Sequence, residues 1–598
     1  MAEWRLFVKI LLVGINAKYI HSNLAIRSLR NYASPYKESI SLAEYTINQY
    51  TNDILTDIYK QKPDFIGFSC YIWNFEMIKK LGREMKKVLP HTSLWLGGPE
   101  VSYDPLEVME EQPWIDGIMC GEGEETFLEL MYHYIGGRGV LQDIRGICYR
   151  REDGSKKLTF PRKEMDMDAI PFPYEELASL ENKIIYYESG RGCPYSCSYC
   201  LSSENKKVRF RDLSRVKEEL SFFLQHKVPQ VKFVDRTFNC NHHHAMEIWR
   251  FLKENDNGET NFHFEIAGEL LKEEELALLN TLREGLVQLE IGVQSANEVT
   301  LDAIRRKMSL DRIREVVDRI QKGKNIHIHL DLIAGLPYED YSSFKASFNE
   351  VYSMKPDQLQ LGFLKVLKGS YLYQEKEKWG IVYQEEPPYE VLYTDWISFD
   401  EILLLKQVES MTEIYYNSGQ FEYTLTYLMH FFETPFDFFM ELGNFYEQKG
   451  LFSLNSSRMG RYEALLEFFE ANRREKAGEE SEKDVETLKQ LMVHDLYCRE
   501  KLKSRPAFAD PCEQYKKLYQ DFYRDRDKLE KYFEGQISDA QEIKGSLHIE
   551  HYPVDLYRSA EHGITVSEEQ FILYDYKHRN PLNKQARQIQ LDWKGCDC

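Results

Sequence analysis

No stretch of this chain approaches the ~18 consecutive apolar residues of a membrane-spanning helix, so the sequence offers no candidate span. The apolar opening W-R-L-F-V-K-I-L-L-V-G-I is too short and lacks a small-residue cleavage site; it reads as a first buried strand, not a signal peptide. Cysteine is sparse, 11 in 598 residues, and its uneven clusters do not suit a disulfide scaffold, which points to a reducing cytoplasm. Basic charge is in deficit: 76 lysines and arginines face 97 acidic residues, a net charge of −21. That balance favours solubility and weighs against a general nucleic-acid binder, which usually carries a basic excess. A local exception runs through Lys206, Lys207, Arg209, Arg211 and Arg215; it reads either as a solvated loop and helix start or as an anion-binding patch. Internal repeats and low-complexity tracts are absent, and G-E-E-S-E-K-D at 478–484 reads as a charged loop.

What is present is an ordinary globular apolar content of 43%, in a length that predicts three or four domains. From about residue 8 to 150, short apolar runs alternate with amphipathic segments. The strand candidates lie at 8–14, 39–43, 65–69, 93–97 and 117–120, with helical patterns between them, as from Asn23 to Tyr32 and from Phe75 to Leu89. This alternation predicts an α/β domain over 1–150 with a five-stranded, doubly wound (Rossmann-like) parallel sheet, its ligands at the carboxyl ends of the strands. R-E-D-G-S at 151–155 reads as a hairpin tip and P-F-P at 171–173 as an extended segment, so 151–183 is assigned as a linker. A second alternation starts near 184, with strands at 184–189, 230–235, 262–267, 287–293, 326–333 and 358–363. Six strand–helix units over 184–395 predict a partial (β/α)6 barrel of the TIM type, with its chemistry in the loops after the strands. Beyond, 396–598 is predicted to be mainly helical, with late strands at 547–552 and 571–576.

The loop after the first barrel strand holds G-C-P-Y-S-C-S-Y-C, which spaces Cys193, Cys197 and Cys200 as C-x3-C-x2-C. Such gaps fold several thiolates around one metal centre. A four-iron cluster normally takes four cysteines, and the next one, Cys240, lies forty residues on. Three ligands leave one iron open, and an open position separates a reactive metal site from a structural one. A zinc knuckle would need a histidine or a second C-x2-C nearby; a buried apolar cysteine cluster is the other plain reading. With Tyr199 as the aromatic residue before the last cysteine, the motif resembles the signature of the radical S-adenosylmethionine (SAM) superfamily. The resemblance implies a [4Fe–4S] cluster on Cys193, Cys197 and Cys200, SAM chelated to the open iron, and reductive cleavage of SAM to a 5′-deoxyadenosyl radical.

The same resemblance assigns further residues. It places Asp235, in V-D-R-T-F, near the SAM amino group, and Gln294 and Ser295, in E-I-G-V-Q-S, near the ribose and methionine end. Arg306, twelve residues after Gln294, falls where relatives hold the SAM carboxylate, a partner suited to a bidentate guanidinium. Glu265 at the third strand end faces the same region, and D-L-I-A-G-L-P at 331–337 fits the segment beside the adenine. The first domain resembles the cobalamin-binding domain fused to many of these enzymes. The matching pieces are Ser69, G-G-P-E with Gly97, Gly98 and Glu100, and G-E-G-E with Gly121, Glu122 and Gly123. The D-x-H-x-x-G motif that gives cobalt a histidine is missing, and His21 is the one histidine in the first strand–helix loop. A GxGxxG fingerprint is missing too, which disfavours a nicotinamide cofactor. The last 200 residues resemble a C-terminal domain of unknown function, most clearly at D-Y-K-H-R-N-P-L-N-K, and the terminal C-D-C reads as a frayed end.

Taken together, the resemblance implies a cobalamin-dependent radical SAM enzyme, with methyl transfer to an unactivated carbon as the favoured reaction. Ring formation or rearrangement, or a methylthio-type tRNA modification, would use the same residues. A non-catalytic corrinoid and iron–sulfur electron carrier is the reading from another class. The implied partners are a small-molecule or tRNA substrate and an electron donor such as flavodoxin or ferredoxin, with no membrane.

Overall fold

The computed structural model describes residues 8–203, 206–474, 479–525, 529, 532 and 545–593. Its first body is a seven-stranded sheet of β1 (Ile10–Asn16), β2 (Ile40–Thr46), β3 (Phe65–Ser69), β4 (Ser93–Gly97), β5 (Gly117–Met119), β6 (Ile147–Arg150) and β7 (Lys156–Leu158), in the order β2-β1-β3-β4-β5-β6-β7. The first five run parallel. Every residue of β1 and β3 is buried, as parallel strands covered on both faces require, and this is why both read as continuous apolar runs. Ile54, Ile58, Ile78 and Leu81, from two helices, cover one face; Ile26, Phe127 and Leu130, from two others, cover the opposite one. The sheet is larger than the five strands expected. β6 and β7 extend it antiparallel, and their hairpin tip is the R-E-D-G-S turn. β7 lies inside the segment assigned as linker, so the first sheet runs on to Leu158. K-K-L is a half-exposed edge strand with no apolar run to announce it.

The second body is a six-stranded parallel sheet, ordered β15-β14-β13-β12-β11-β8 and curved as an open barrel. Its strands are β8 (Ile185–Tyr187), β11 (Gln230–Phe233), β12 (Asn261–Ile266), β13 (Val287–Gln294), β14 (His327–Ala334) and β15 (Gln358–Phe363); the short β9 (Gly190–Arg191) and β10 (Arg209–Phe210) pair antiparallel beside the cysteine loop. Side chains alternate faces along a strand. Phe262, Phe264, Leu289, Ile291, Ile328 and Leu330 pack with the covering helices in one large core. The residues between them, His263, Glu265, Gln288, Glu290, His327 and His329, meet across the other face in register. The barrel lumen is therefore polar.

After the small hairpin of β16 (Val382–Tyr383) and β17 (Val391–Tyr393), helices dominate, among them Phe399–Met411, Pro435–Gln448, Arg458–Arg474 and Glu479–Arg499. The barrel core continues into them without a break: Phe348 of the barrel packs edge-on against Phe436, with ring centroids 5.5 Å apart. The expected charged loop at 478–484 is helical from Glu479 onward; Gly478 lies outside the described residues. Glu and Lys are good helix formers, and Asp484 is fixed there by Arg473. The late strands form β18 (Leu547–Tyr552) and β19 (Gln570–Arg579), joined by the unforeseen β20 (Ala586–Leu591) in an antiparallel sheet. The terminal Cys596 and Cys598 lie outside the described residues.

Candidate functional site

The cysteine loop leaves β9 through Gly192, whose φ of +106° suits glycine. Ser198 N–H then donates to the Ile304 carbonyl at 2.9 Å, which pins the loop against the end of the β13 unit. Cys193, Cys197 and Cys200 line one cavity of about 200 Å³. Among the described residues of its wall there is no further cysteine and no histidine. Cys240 does not reach this wall, and burial raises its thiol pKa to about 11.

Arg306 reaches the same cavity and stands 3.8 Å from Cys197 Sγ through Nη1, while Nη2 donates to the Gly292 carbonyl. Its Nε is buried without a partner. Burial opposes the Arg306 charge, but Tyr199 and Cys197 beside it more than offset that and raise its pKa. Burial also raises the Cys197 thiol, with Arg306 pulling the other way; a thiolate here needs a positive partner such as a metal. Gln294 sits at φ +74°, at a register shift in β13, with its side-chain oxygen buried and unpartnered. Asp331 is similar: one carboxylate oxygen has no partner, and burial, with Glu290 and Glu265 nearby, pushes its pKa well above the usual range. Tyr199 and Glu265 complete the set brought together here.

Two expected residues are not brought there. Asp235 is buried behind the loop, where it accepts from Ser189 N at 2.9 Å and Ser189 Oγ at 2.7 Å. Burial raises it to about 7. Its neighbours Arg236 and Thr237 line the cavity instead, and Thr237 Oγ1 lies 3.4 Å from Cys193 Sγ. Ser295 also turns away: its hydroxyl donates to Glu339 at 2.6 Å and accepts from Asn297 N at 3.0 Å, which fixes the turn after β13.

A second cavity, of about 730 Å³, lies between the first sheet and the open β8 side of the barrel. Asn16, His21, Tyr71 and Trp73 face it from the first domain; Glu188, Arg191 and Lys232 face it from the barrel. The Tyr71 and Trp73 rings stack with centroids 4.4 Å apart. Arg236 and Glu265, an ion pair at 3.6 Å, line both cavities and form their common wall. His21 is the one imidazole on the larger wall among the described residues. Its Nδ1 is 2.7 Å from Tyr186 Oη, and burial lowers its pKa, so it stands neutral at pH 7.

Of the residues assigned to this cofactor, Glu122 lines the cavity, whereas Ser69, Gly97, Gly98, Glu100, Gly121 and Gly123 do not. Gly98, at φ +119°, serves the backbone crossing: a Cβ there would meet the Cys70 carbonyl at 2.4 Å. Glu100 accepts from Tyr389 Oη and ties the first domain to the barrel hairpin. Glu122 is itself bound by Arg209 and, at 3.5 Å, by Arg191. Burial alone would raise the Glu122 carboxyl, but these arginines hold it below the ordinary range. Of the basic stretch that read either as a solvated segment or as an anion-binding patch, the three arginines are engaged within the protein, while Lys206 and Lys207 are exposed. Arg209 serves Glu122, Arg211 meets Glu219 at 2.9 Å, and Arg215 donates to the Asp168 carbonyl.

Comparison with known proteins agrees with this geometry. Residues 10–131 match the B12 binding domain, residues 187–351 the radical SAM superfamily, and residues 377–574 a family described as protein of unknown function (DUF4080). The chain is 28% identical over 304 residues to the cobalamin-dependent radical SAM methyltransferase TokK of Streptomyces tokunonensis, covering 48% of this chain and 44% of TokK. It is 23% identical over 346 residues to the anaerobic magnesium-protoporphyrin IX monomethyl ester cyclase of Rubrivivax gelatinosus, covering 55% and 62%. The chain thus spans about half the length of such curated relatives. In fold it resembles the cobalamin-dependent SAM radical enzyme OxsB, with a TM-score of 0.57 at 15% identity over 82% of this chain and 80% of that one. No helix among the described residues is long and apolar enough to cross a membrane.

Proposed function

We propose that this chain, which carries a B12-binding domain followed by a radical SAM domain, is a cobalamin-dependent radical SAM enzyme that methylates an unactivated carbon of a small molecule. One observation carries the reading. Arg236 and Glu265 belong to the walls of both the thiol-lined cavity and the larger interdomain cavity, so a substrate atom held at that pair is within reach of both.

The residues suit the groups such chemistry needs. Three thiols and no further cysteine or histidine on the wall fit a [4Fe–4S] cluster with one iron open. The partnerless Arg306 Nε and Gln294 oxygen fit the acceptor and donor groups of SAM beside it. The stacked Tyr71 and Trp73 offer an apolar face to a corrin, and His21, engaged by Tyr186, is the available imidazole. When bound, cluster and SAM supply a hydrogen-abstracting radical and cobalamin a methyl donor. The chain's own part is positional. Arg306 orients a carboxylate, Tyr199 shields the thiols, and Lys232, Arg236 and Glu265 hold a polar substrate between the two cavities. A reducing cytoplasm suits the nine free cysteines among the described residues. Flavodoxin or ferredoxin is the expected electron source.

A ring-forming reaction is the second reading, favoured by the cyclase relative; it would use the same residues. The tRNA reading is weakened, because three of the five basic residues at 206–215, Arg209, Arg211 and Arg215, are engaged within the protein. The test is anaerobic incubation of reconstituted, cobalamin-loaded protein with methyl-deuterated SAM, a reductant and a metabolite extract. A product gaining a labelled methyl supports the proposal. Cyclised product without label selects the second reading, and 5′-deoxyadenosine absent under all conditions favours a carrier.

A further inference from the structure

The barrel lumen carries polar side chains, His263, Gln288, His327 and His329, that line neither of the two cavities. Such interiors are ordinarily filled with branched apolar side chains. Here strand register sets Glu265, Glu290 and His329 side by side, with His263, Gln288 and His327 in the adjoining row. Ligand atoms of His263, Glu290 and His329 lie within 4.8 Å of one another. His263 Nε2 stands 2.9 Å from Glu290 Oε2 and, buried, has no other hydrogen-bond partner. An imidazole and a carboxylate held this close are a donor pair that one cation can share. His329 Nε2 faces the Gln288 side-chain amide; with that amide turned so that its oxygen accepts from Nε2–H, Nδ1 is left free to ligate. Both histidines are buried, and the neutral imidazole is the form that ligates.

We propose that His263, Glu290 and His329 form a site for a first-row divalent cation, with the two-histidine, one-carboxylate donor set suited to Mn(II) or Fe(II). Lys232 is the competitor. Its Nζ lies 2.9 Å from Glu290 Oε2 and 3.9 Å from Glu265 Oε1. An ion on Glu290 displaces this ammonium toward Glu265, whose Oε1 it already approaches. The Lys232 charge then keeps a partner. Access is provided: Glu290 lines the same small cavity as the three cysteines. The ion's remaining positions face the lumen, where they suit a carboxylate or carbonyl oxygen of a substrate. This site is independent of the radical reading and is tested without it.

The probe is Mn(II), titrated by electron paramagnetic resonance into the full-length chain bearing Cys193→Ala, Cys197→Ala and Cys200→Ala, which has no cluster signal. The expected result is one Mn(II) per chain, with affinity lowered more than about tenfold by His263→Ala and by His329→Ala. Lys232→Met, which removes the competing ammonium and keeps the packing, is expected to tighten it. Failure of both the Lys232→Met chain and its parent to retain Mn(II) would overturn the proposal. So would retention that neither histidine substitution weakens.

Discussion

Arg191 stands two residues before Cys193, the first cysteine of the C-x3-C-x2-C loop, and closes on Glu124 of the first domain at 2.9 Å. The same guanidinium meets Glu188 at 2.7 Å and Glu122 at 3.5 Å. The loop that carries Cys193 is therefore held to the B12-binding domain by charge that is mostly buried. Removing one member of a buried network leaves the others uncompensated and costs roughly 3–5 kcal/mol. Arg191→Met is expected to lower the denaturation midpoint and to reduce retained cobalamin and cluster absorbance together. An unchanged midpoint with both cofactors intact would show that the latch has no such role.

Cys197→Ala should behave differently. It removes one of the three thiols on the smaller cavity and touches nothing on the larger one. Iron–sulfur absorbance is expected to vanish while cobalamin stays bound, measured on one anaerobically reconstituted sample. Equal loss of both would mean that the two cavities are not separable.

Arg306→Lys keeps the charge beside Cys197 but loses the planar fork that suits a carboxylate. SAM affinity is expected to fall about 10–100-fold, with iron content unchanged. Equilibrium binding of SAM to the reconstituted variant reads this, and an unchanged affinity would remove Arg306 from the SAM contacts.

The C-terminal helices share the barrel's core, so they are not a detachable module. Phe436→Ala, which empties a fully buried site against Phe348, is expected to cost about 3–5 kcal/mol. Truncation after residue 395 should yield aggregated protein. A soluble truncated chain with a full cluster would contradict this.

His494 is fully buried beside Tyr574, and burial lowers its pKa from 6.5 to about 3. In that window the unfolded chain takes up a proton that the folded chain refuses, so stability rises with pH. The contribution is fully present above about pH 6.5 and is lost at about 1.4 kcal/mol per pH unit as the pH falls toward 3. Relative to His494→Asn, the native protein should lose stability at that slope in denaturant titrations between pH 6.5 and 5. Parallel curves would show that His494 titrates normally.

Much of this was legible in the chain. β1 and β3 announced themselves as apolar runs because both of their faces are buried. The cysteine spacing located the smaller cavity because its three thiols are local in sequence. Asp235 lies off the cavity wall for a reason of parity: Lys232, Val234 and Arg236 share one face of the β11 segment, and Asp235 falls on the other. Ser295 lies off it after β13 shifts register between Gly292 and Gln294, and no local signal marks such a shift. G-E-G-E was read as a cofactor cradle, while the arginines that claim its carboxylates lie 67 and 87 residues away. Pairing across that distance is set by the fold and cannot be read from spacing. The His263, Glu290 and His329 set is of the same kind, one side chain from each of three strands.

The most direct test is the electron paramagnetic resonance spectrum of the reduced, reconstituted protein before and after SAM is added. Three cysteine ligands and one exchangeable iron position predict a cluster signal whose g-values shift on SAM binding, with 5′-deoxyadenosine accumulating in the same tube. A signal indifferent to SAM, or zinc in place of iron on Cys193, Cys197 and Cys200, would contradict it.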